Sequence, residues 1–586
     1  MKCLTVSIPV VFARIKQRSG ETSPWMFPDM TPELSLGNFS FRHRLSPGKL
    51  RVVTNCVVRI LPNLQVKFIS RVPAQLPSLN QSQTKMEMGI PEFFRGRSLF
   101  VTGGSGFMGK VLIEKLLRSC PELDNIYVLM RPKRGQQVAG RYTDLLDCKI
   151  FDWLKENKKH QLNKVVAVAG DITKPGLGLS PEDQEMIVKK VSVVFHAAAT
   201  VKFDETLRLS VLLNLCGTKS LLQLCEKMDQ LVSVVHVSTA YCNCNLNEEI
   251  FEKLYPAPAD PEQVIQMVNL LDDNILNSIT PLLLKDRPNT YTFTKALAEH
   301  VVYEKSGILP IAIFRPSIVT SAVQEPLPGW IDNLNGPTGV LAGVGKGVLR
   351  SLVCHRESIA DFIPVDRAIN CMIAIAWATA VNRPNGIMIY NCTTGWSNPL
   401  YWKDMEEKGL EYILKYPSKE ILWYPGGSFK TSRFLNDIHT LMEKSCHGQD
   451  TRKLRKALET MTFFTTKEFK FRNDNVAELL TKLSPEDREA FCFDINDINW
   501  REYIETYVLG TRKYILKEDP ATIPESRTNL KKMYLLHKGT QLLVLSVVFW
   551  GVLMRSSAAR FTFYQMLSVV FRTVTAFSRI FVSVER

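Results

Sequence analysis

Nowhere in the sequence do cysteine and histidine fall at the spacing of a zinc site. Thirteen cysteines are scattered along it; Cys242 and Cys244 stand two apart, with no second pair to complete four ligands. No metal is expected, and the scatter reads as free thiols in a reducing compartment. Compositional extremes are missing as well. A hydrophobic share of 45% and a charged share of 22% exclude a fibrous or wholly disordered chain. The middle of the chain also lacks a basic stripe. The net charge is +15, but residues 1–90 carry twelve basic side chains against four acidic, and residues 526–586 carry nine against one. The body between is near neutral, so no nucleic-acid partner is expected. Basic ends suit a membrane surface or a targeting signal better.

Acids are absent from the first twenty residues, which hold Lys2, Arg14, Lys16 and Arg18 as a transit peptide would. The apolar run Val6–Ala13 is too short and poorly flanked for a secretory signal. The alternative is a disordered basic extension over residues 1–90, absent altogether if the chain starts at Met86 or Met88. At the other end no uncharged run reaches the roughly 20 residues of a full span. Gly539–Met554 gives sixteen, bracketed by Lys531, Lys532 and Lys538 and by Arg555 and Arg560. Met533–Leu536 lengthens it if His537 and Lys538 snorkel. Phe561–Phe571 is a second apolar stretch, ahead of Arg572. A single span, a hairpin and an interfacial helix all fit. Residues 531–586 are read as an anchoring tail whose partner is membrane lipid.

At 586 residues the chain is too long for one small core. Short apolar runs at Ser98–Val101, Ile126–Met130, Val165–Ala169, Val191–Phe195, Leu231–Val237 and Ile311–Phe314 read as buried parallel strands. Helical patterns separate them, notably Leu207–Cys225 and Tyr291–Glu304. The alternation predicts a doubly wound α/β sheet over residues 91–430. Strands fade after about residue 435. Segments 436–463, 474–482 and 498–518 read as a smaller helical domain within 431–530, and Ser484-Pro485-Glu486-Asp487 as a helix start. Nothing in the pattern sets an oligomeric state.

Thr102-Gly103-Gly104-Ser105-Gly106-Phe107-Met108-Gly109 lies between the first strand and the first helix. Gly103 suits a tight turn, Gly106 a close approach of pyrophosphate, and Gly109 close packing of helix on sheet. The helix N-terminus then offers free N–H groups to phosphate. An acid at the end of the second strand, usual for NAD, is missing. Met130-Arg131-Pro132-Lys133-Arg134 stands there, and Arg131, with Lys133 or Arg134, suits the 2′-phosphate of NADPH. Asp171, followed by Ile172, ends the third strand where adenine would lie. His196-Ala197-Ala198 ends the fourth, with small residues beside the nicotinamide ribose; His196 itself reads as structural.

Tyr291 and Lys295 are four residues apart and so share one helix face. A nearby ammonium favours the phenolate, which leads one to expect a lowered phenol pKa. The phenol can protonate a carbonyl as hydride arrives. Ser238 or Thr239, at the end of the fifth strand, supplies a third hydroxyl to the substrate oxygen. Asn214 could anchor a water or brace the Tyr291 helix.

Together these residues resemble the extended short-chain dehydrogenase/reductase superfamily, and more closely the alcohol-forming fatty acyl-CoA reductases of the insect type. Pro91-Glu92-Phe93-Phe94, Gly103–Gly109, the run from Lys110 to Pro121, Val237–Tyr241, Tyr291–Lys295 and Phe314–Val319 carry the resemblance, which covers residues 90–555. It implies NADPH, a long-chain fatty acyl-CoA substrate, and two hydride transfers through an aldehyde to a primary alcohol. It implies that Lys295 holds the nicotinamide ribose and that Pro316 and Val319 present backbone to the nicotinamide amide. It implies an address on the endoplasmic reticulum or peroxisome, with the catalytic domain toward the cytosol. A steroid or sugar-nucleotide dehydrogenase or epimerase on the same fold is the rival enzyme. An NADPH-binding membrane scaffold is the rival non-enzyme, which would not need Tyr291.

Overall fold

The computed structural model describes residues 88–133, 135–383, 386–430 and 450–584. The basic extension up to residue 87, Arg134 and the 436–449 part of an expected helix lie outside the described residues.

Seven strands build the main sheet: β1 Ser98–Thr102, β2 Ile126–Met130, β3 Val165–Ala169, β4 Val191–His196, β5 Ser233–Val237, β6 Ile311–Pro316 and β7 Met388–Cys392. All pair in parallel, in the order β7-β6-β5-β4-β1-β2-β3. The order reverses beside β1, which pairs with β2 on one side and β4 on the other. That reversal opens a crevice at the carboxyl ends of β1 and β4, where ligands of such sheets sit.

Side chains alternate between the two faces of each strand. Leu99, Val101, Val128 and Phe195 join one core with Leu112 and Leu116 of α1 (Phe107–Ser119). Phe100, Tyr127, Val194 and Val234 join a second core. It also takes Leu222 of α2 (Gly217–Cys225) and Phe293 and Leu297 of α3 (Thr290–Glu304). The helix expected over 207–225 is interrupted by a π-helical turn, Val211–Cys216, that holds Asn214. Among the elements without a sequence expectation are β7 and α4 (Val365–Asn382), which is buried continuously from Val365 to Thr379.

The described helices after residue 450 do not pack apart from the sheet domain. They include α5 (Asp450–Thr465) and α6 (Trp500–Gly510). Tyr503 and Tyr507 of α6 lie in the same core as α1 and α4. Their hydroxyls meet Thr320 and Thr338, each at 2.7 Å. A tyrosine can bury its ring this way while keeping its polar tip paired.

The tail is two helices, α7 (Ile523–Arg555) and α8 (Ser557–Val584). Phe549 and Phe563 touch at 5.6 Å, seven residues either side of Ser556, so α8 folds back along α7. His537 and Tyr534 of α7 rest on Trp423 and Tyr424 of the body. Beyond them Leu542, Val547 and Trp550 are exposed. Pro520–Leu553 is long and apolar enough to cross a membrane.

Candidate active site

The glycine loop is shaped by backbone contacts. Gly103 has φ +78°, and a Cβ on it would lie 2.7 Å from the Ala197 carbonyl carbon. A Cβ on Gly109 would lie 2.3 Å from the Gly103 oxygen. Neither position admits a side chain, so α1 starts hard against the turn. Gly106 caps α1 without a side-chain hydrogen bond, and no acid stands in the first turn. Such an end favours an anion, and the cradle fits a dinucleotide pyrophosphate.

His196 sits in a neutral ladder. Its Nδ1 meets the Thr102 hydroxyl at 2.7 Å and its Nε2 meets the Thr218 hydroxyl at 2.9 Å. Thr218 spends its one proton on the Asn214 carbonyl, at 2.7 Å. Nε2 therefore carries the ring proton and Nδ1 accepts from Thr102. Burial, and then the Lys295 charge, push His196 down to about 3, so it stays neutral. Ala198 N–H donates to the Thr102 hydroxyl at 3.3 Å, which ties the end of β4 to β1.

At the ends of β2 and β3 the cationic group is larger than expected. Arg131 faces Asp171 at 3.6 Å and is 46% exposed. Asp171 also accepts from the Thr173 N–H and hydroxyl. Burial works to raise its carboxyl, but the Thr173 bonds and Arg131 outweigh it and hold it down. Arg141 was not foreseen. It donates to the Arg131 carbonyl at 2.5 Å and to the Ser105 hydroxyl at 2.8 Å, joining loop to basic corner. Burial and the Arg131 charge both lower its pKa. Only the third dimension connects Arg141 to Ser105; no local spacing signals it. Lys133 pairs its backbone with Gln136. Ile172 lies in the second core, where a Cβ on Gly217 would meet it at 2.5 Å.

The proton-transfer residues gather at the ends of β5 and β6. Asn289 caps α3, accepting from Thr292 N–H at 2.9 Å, so Tyr291 and Lys295 stand in the first turns. Lys295 Nζ donates to the Val237 carbonyl at 2.7 Å. Burial pushes its ammonium down to about 8, while Glu299 and then Cys242 pull it up. The Tyr291 phenol is raised by burial and pulled back by the neighbouring Thr239 hydroxyl. The sequence suggests a phenol lowered by Lys295; burial prevails instead, with the ammonium turned to Val237. Thr239 Oγ1 also accepts from Tyr241 N–H at 3.2 Å. Ser238 points elsewhere: its hydroxyl is buried without a full hydrogen bond, yet close enough to Glu299 to help lower that carboxyl. Pro316 ends β6, and Val319 pairs with Ile363 beside it.

Glu299 continues the four-residue spacing of Tyr291 and Lys295. Arg315 clasps its carboxylate at 2.7 and 2.8 Å, both side chains being almost wholly buried. Cys242 Sγ donates to Glu299 at 3.3 Å. This pair went unforeseen, although a third residue at that spacing was a usable signal. Asn214 accepts from Thr200 N–H and donates to the Thr294 hydroxyl, each at 3.0 Å, which braces α3.

Two sequence models of a family described as male sterility protein, the first a nucleotide-binding one, match residues 101–372 and 439–518. Fatty acyl-CoA reductase 1 of Xenopus laevis is 41% identical over 508 residues, covering 84% of this chain and 98% of that protein. The Homo sapiens protein of the same name is 39% identical over 511 residues, with the same coverage. Among solved structures, a reductase domain of a nonribosomal peptide synthetase from Mycobacterium tuberculosis superposes with a TM-score of 0.50 at 17% identity. It spans 74% of this chain and 94% of that one, and shows a shared fold.

Proposed function

The chain belongs to the fatty acyl-CoA reductase family and is an NAD(P)-dependent oxidoreductase; from that premise we propose that it reduces a long-chain acyl-CoA to a primary alcohol with NADPH, using Tyr291, Thr239 and Lys295. The observation that carries this reading is the meeting of the Tyr291 phenol and the Thr239 hydroxyl at the end of β5, where the Val237 carbonyl also holds Lys295 Nζ at 2.7 Å.

A bound nicotinamide supplies hydride to the carbonyl carbon. Tyr291, kept protonated by burial, gives its proton to the carbonyl oxygen as negative charge develops there. Thr239 accepts from Tyr241 N–H, and its own proton, directed toward the phenol oxygen, turns to the same substrate oxygen once the carbonyl is in place. Lys295 is held by the Val237 carbonyl, which leaves two N–H groups for the ribose. Reduction of the thioester gives a hemithioacetal, which expels coenzyme A and leaves an aldehyde. Tyr291 and Thr239 hold the aldehyde oxygen in the second reduction in the same way. Gly103 through Gly109 hold the pyrophosphate, and Ala197, Ala198, Pro316 and Val319 border the nicotinamide end.

NADPH is favoured over NADH by the corner at Arg131 and Arg141. Two adjacent guanidiniums repel, and a 2′-phosphate between them relieves that repulsion. Asp171, already bonded to Thr173, is poorly placed to accept from ribose hydroxyls. The exposed apolar surface of α7 supports membrane anchoring; the endoplasmic reticulum or peroxisome is the address the family resemblance implies. The cysteines among the described residues are free, which suits a body on the cytosolic side.

Tyr291→Phe is expected to cut alcohol formation by about 10²–10⁴-fold with cofactor affinity kept. Thr239→Ala is expected to cost about 10²–10³ in turnover, and Ser238→Ala a few-fold at most. Turnover assays with lipid analysis, beside cofactor fluorescence titration, check all three; full activity in Tyr291→Phe overturns the mechanism.

A further inference from the structure

Beside Tyr291 lie aromatic rings from two distant parts of the chain. Phe203, in the loop after β4, lies 6.0 Å from the Tyr291 ring. Phe464, in the last turn of α5, lies 5.2 Å from Phe203. Behind them the rings are buried: Tyr241 meets Phe464 edge-on at 5.4 Å, and it meets Phe469 and Phe471 at 5.2 Å each. Phe203, Phe464 and Tyr291 are each partly exposed. They stand on the outward side of the cluster, with Tyr241, Phe469 and Phe471 buried behind them.

Phe464 is held firmly. Its neighbour Thr465 donates its hydroxyl to the Val353 carbonyl at 2.7 Å and accepts His355 N–H at 2.9 Å. Lys467 closes the far side, donating to the Cys244 carbonyl at 2.8 Å with its ammonium over the Phe463 and Phe469 rings. Phe203 has no such clamp on its own backbone among the bonds of the described residues. One of the two rings is therefore fixed and the other rides on a loop.

We propose that Phe464 and Phe203 form the wall against which the first carbons of the acyl chain pack, and so set how much branching beside the thioester carbonyl the enzyme accepts. This rests on the reading of Tyr291 as proton donor, which places the carbonyl at its hydroxyl. The carbons next to that carbonyl must then leave past the rings nearest the phenol. The wall offers ring carbon, which suits methylene groups. It offers nothing to the two amides of a pantetheine arm, which favours the acyl chain as its occupant.

The test compares palmitoyl-CoA with its 2-methyl-branched analogue, using the full chain in membranes. Both carry the same coenzyme A, so the ratio of their kcat/KM values cancels effects on the pantetheine side. Phe464→Leu and Phe464→Ala are expected to shift the ratio toward the branched substrate by about tenfold or more, since hydrophobic pockets discriminate single methylene-sized groups by about 10–200-fold. Phe203→Leu is expected to shift it in the same direction by less. Phe469→Leu loosens the same cluster without facing Phe203 or Tyr291, and is expected to leave the ratio alone. An unchanged ratio in folded Phe464→Leu overturns the proposal. So does a rise in KM common to both substrates, which would put pantetheine at the wall, or an equal shift in Phe469→Leu, which would make the effect structural. Activity retained in Tyr291→Phe would instead defeat the underlying mechanism, so the two failures are separable.

Discussion

At the carboxyl ends of β1 and β4 the protein fixes its geometry almost without charge; in the neighbouring strands, β5 and β6, it does so with buried ions. The first region rests on Gly103 and Gly109, which admit no Cβ, and on the Thr102–His196–Thr218 ladder, which is neutral throughout. The second packs Lys295, Glu299 and Arg315 together in near-complete burial. The contrast follows from what each region has to do. A pyrophosphate brings its own charge, so the cradle needs open backbone N–H groups and space. A buried ammonium such as that of Lys295 keeps its proton only with opposite charge nearby, here Glu299, in a poorly screened setting. Shape specifies one half of the site and electrostatics the other.

That difference is sharpest in what removing one partner costs. Arg315→Met leaves the Glu299 carboxylate buried without its bidentate partner, and the expected loss of stability is about 3–5 kcal/mol. Thr218→Val removes one acceptor from His196 in the neutral ladder, and the expected loss is about 1–3 kcal/mol. Urea melts of the two variants measure the gap directly. Equal losses would break the comparison, since they would mean that the charge of the β5–β6 region adds nothing beyond its hydrogen bonds.

A smaller effect is expected where a charged group serves the shape-specified half. Arg141 ties the Arg131 carbonyl to Ser105 of the glycine loop. Arg141→Ala is expected to weaken NADPH binding by about tenfold, the size of one charge-assisted contact. NADH binding should fall much less. Titrations of both cofactors decide it: an equal loss for both would make Arg141 a brace for the loop rather than a phosphate contact.

The two halves were also unequally legible in the sequence. The glycine loop is a local pattern, and its strand and helix follow within a dozen residues. The Tyr291–Lys295 spacing is local too, but the partners that set its chemistry are not. Arg315 lies on β6, Val237 on β5 and Thr239 just beyond it, and only the parallel sheet assembles them. Choosing Thr239 over Ser238 as the partner of Tyr291 needed the direction of each side chain past the strand end. α4 escaped notice for a different reason. It is buried on nearly every side, so it shows no apolar stripe to mark its period. The helices after residue 450 read as a separate domain because their own strands are few. Yet Tyr503 and Tyr507 complete the core of the sheet domain, and Phe464 reaches Phe203 at the site. In the tail, charge placement left three topologies open; the Phe549–Phe563 contact shows that the two helices turn back on each other at Ser556.

The finest test of the charge-specified half is its pH dependence. Lys295 has its ammonium pushed down to about 8 by burial, with Glu299 and Cys242 opposing that fall. If the charged form holds the ribose, kcat/KM stays level below about pH 8 and falls as the pH rises through it. Glu299→Gln removes one of the opposing pulls and leaves burial in place. The ammonium then loses its proton more easily, so the falling limb moves to lower pH, by about one unit for an opposite charge one helical turn away. His196 cannot supply that limb, because it is neutral down to about pH 3. Glu299→Gln also strips Arg315 of its counter-charge, so the paired variant Glu299→Gln with Arg315→Met serves if the single one is unstable. Profiles of kcat/KM report the free enzyme. A limb that stays put, or moves upward, would show that Lys295 is not the group titrating and that the buried ions serve stability alone.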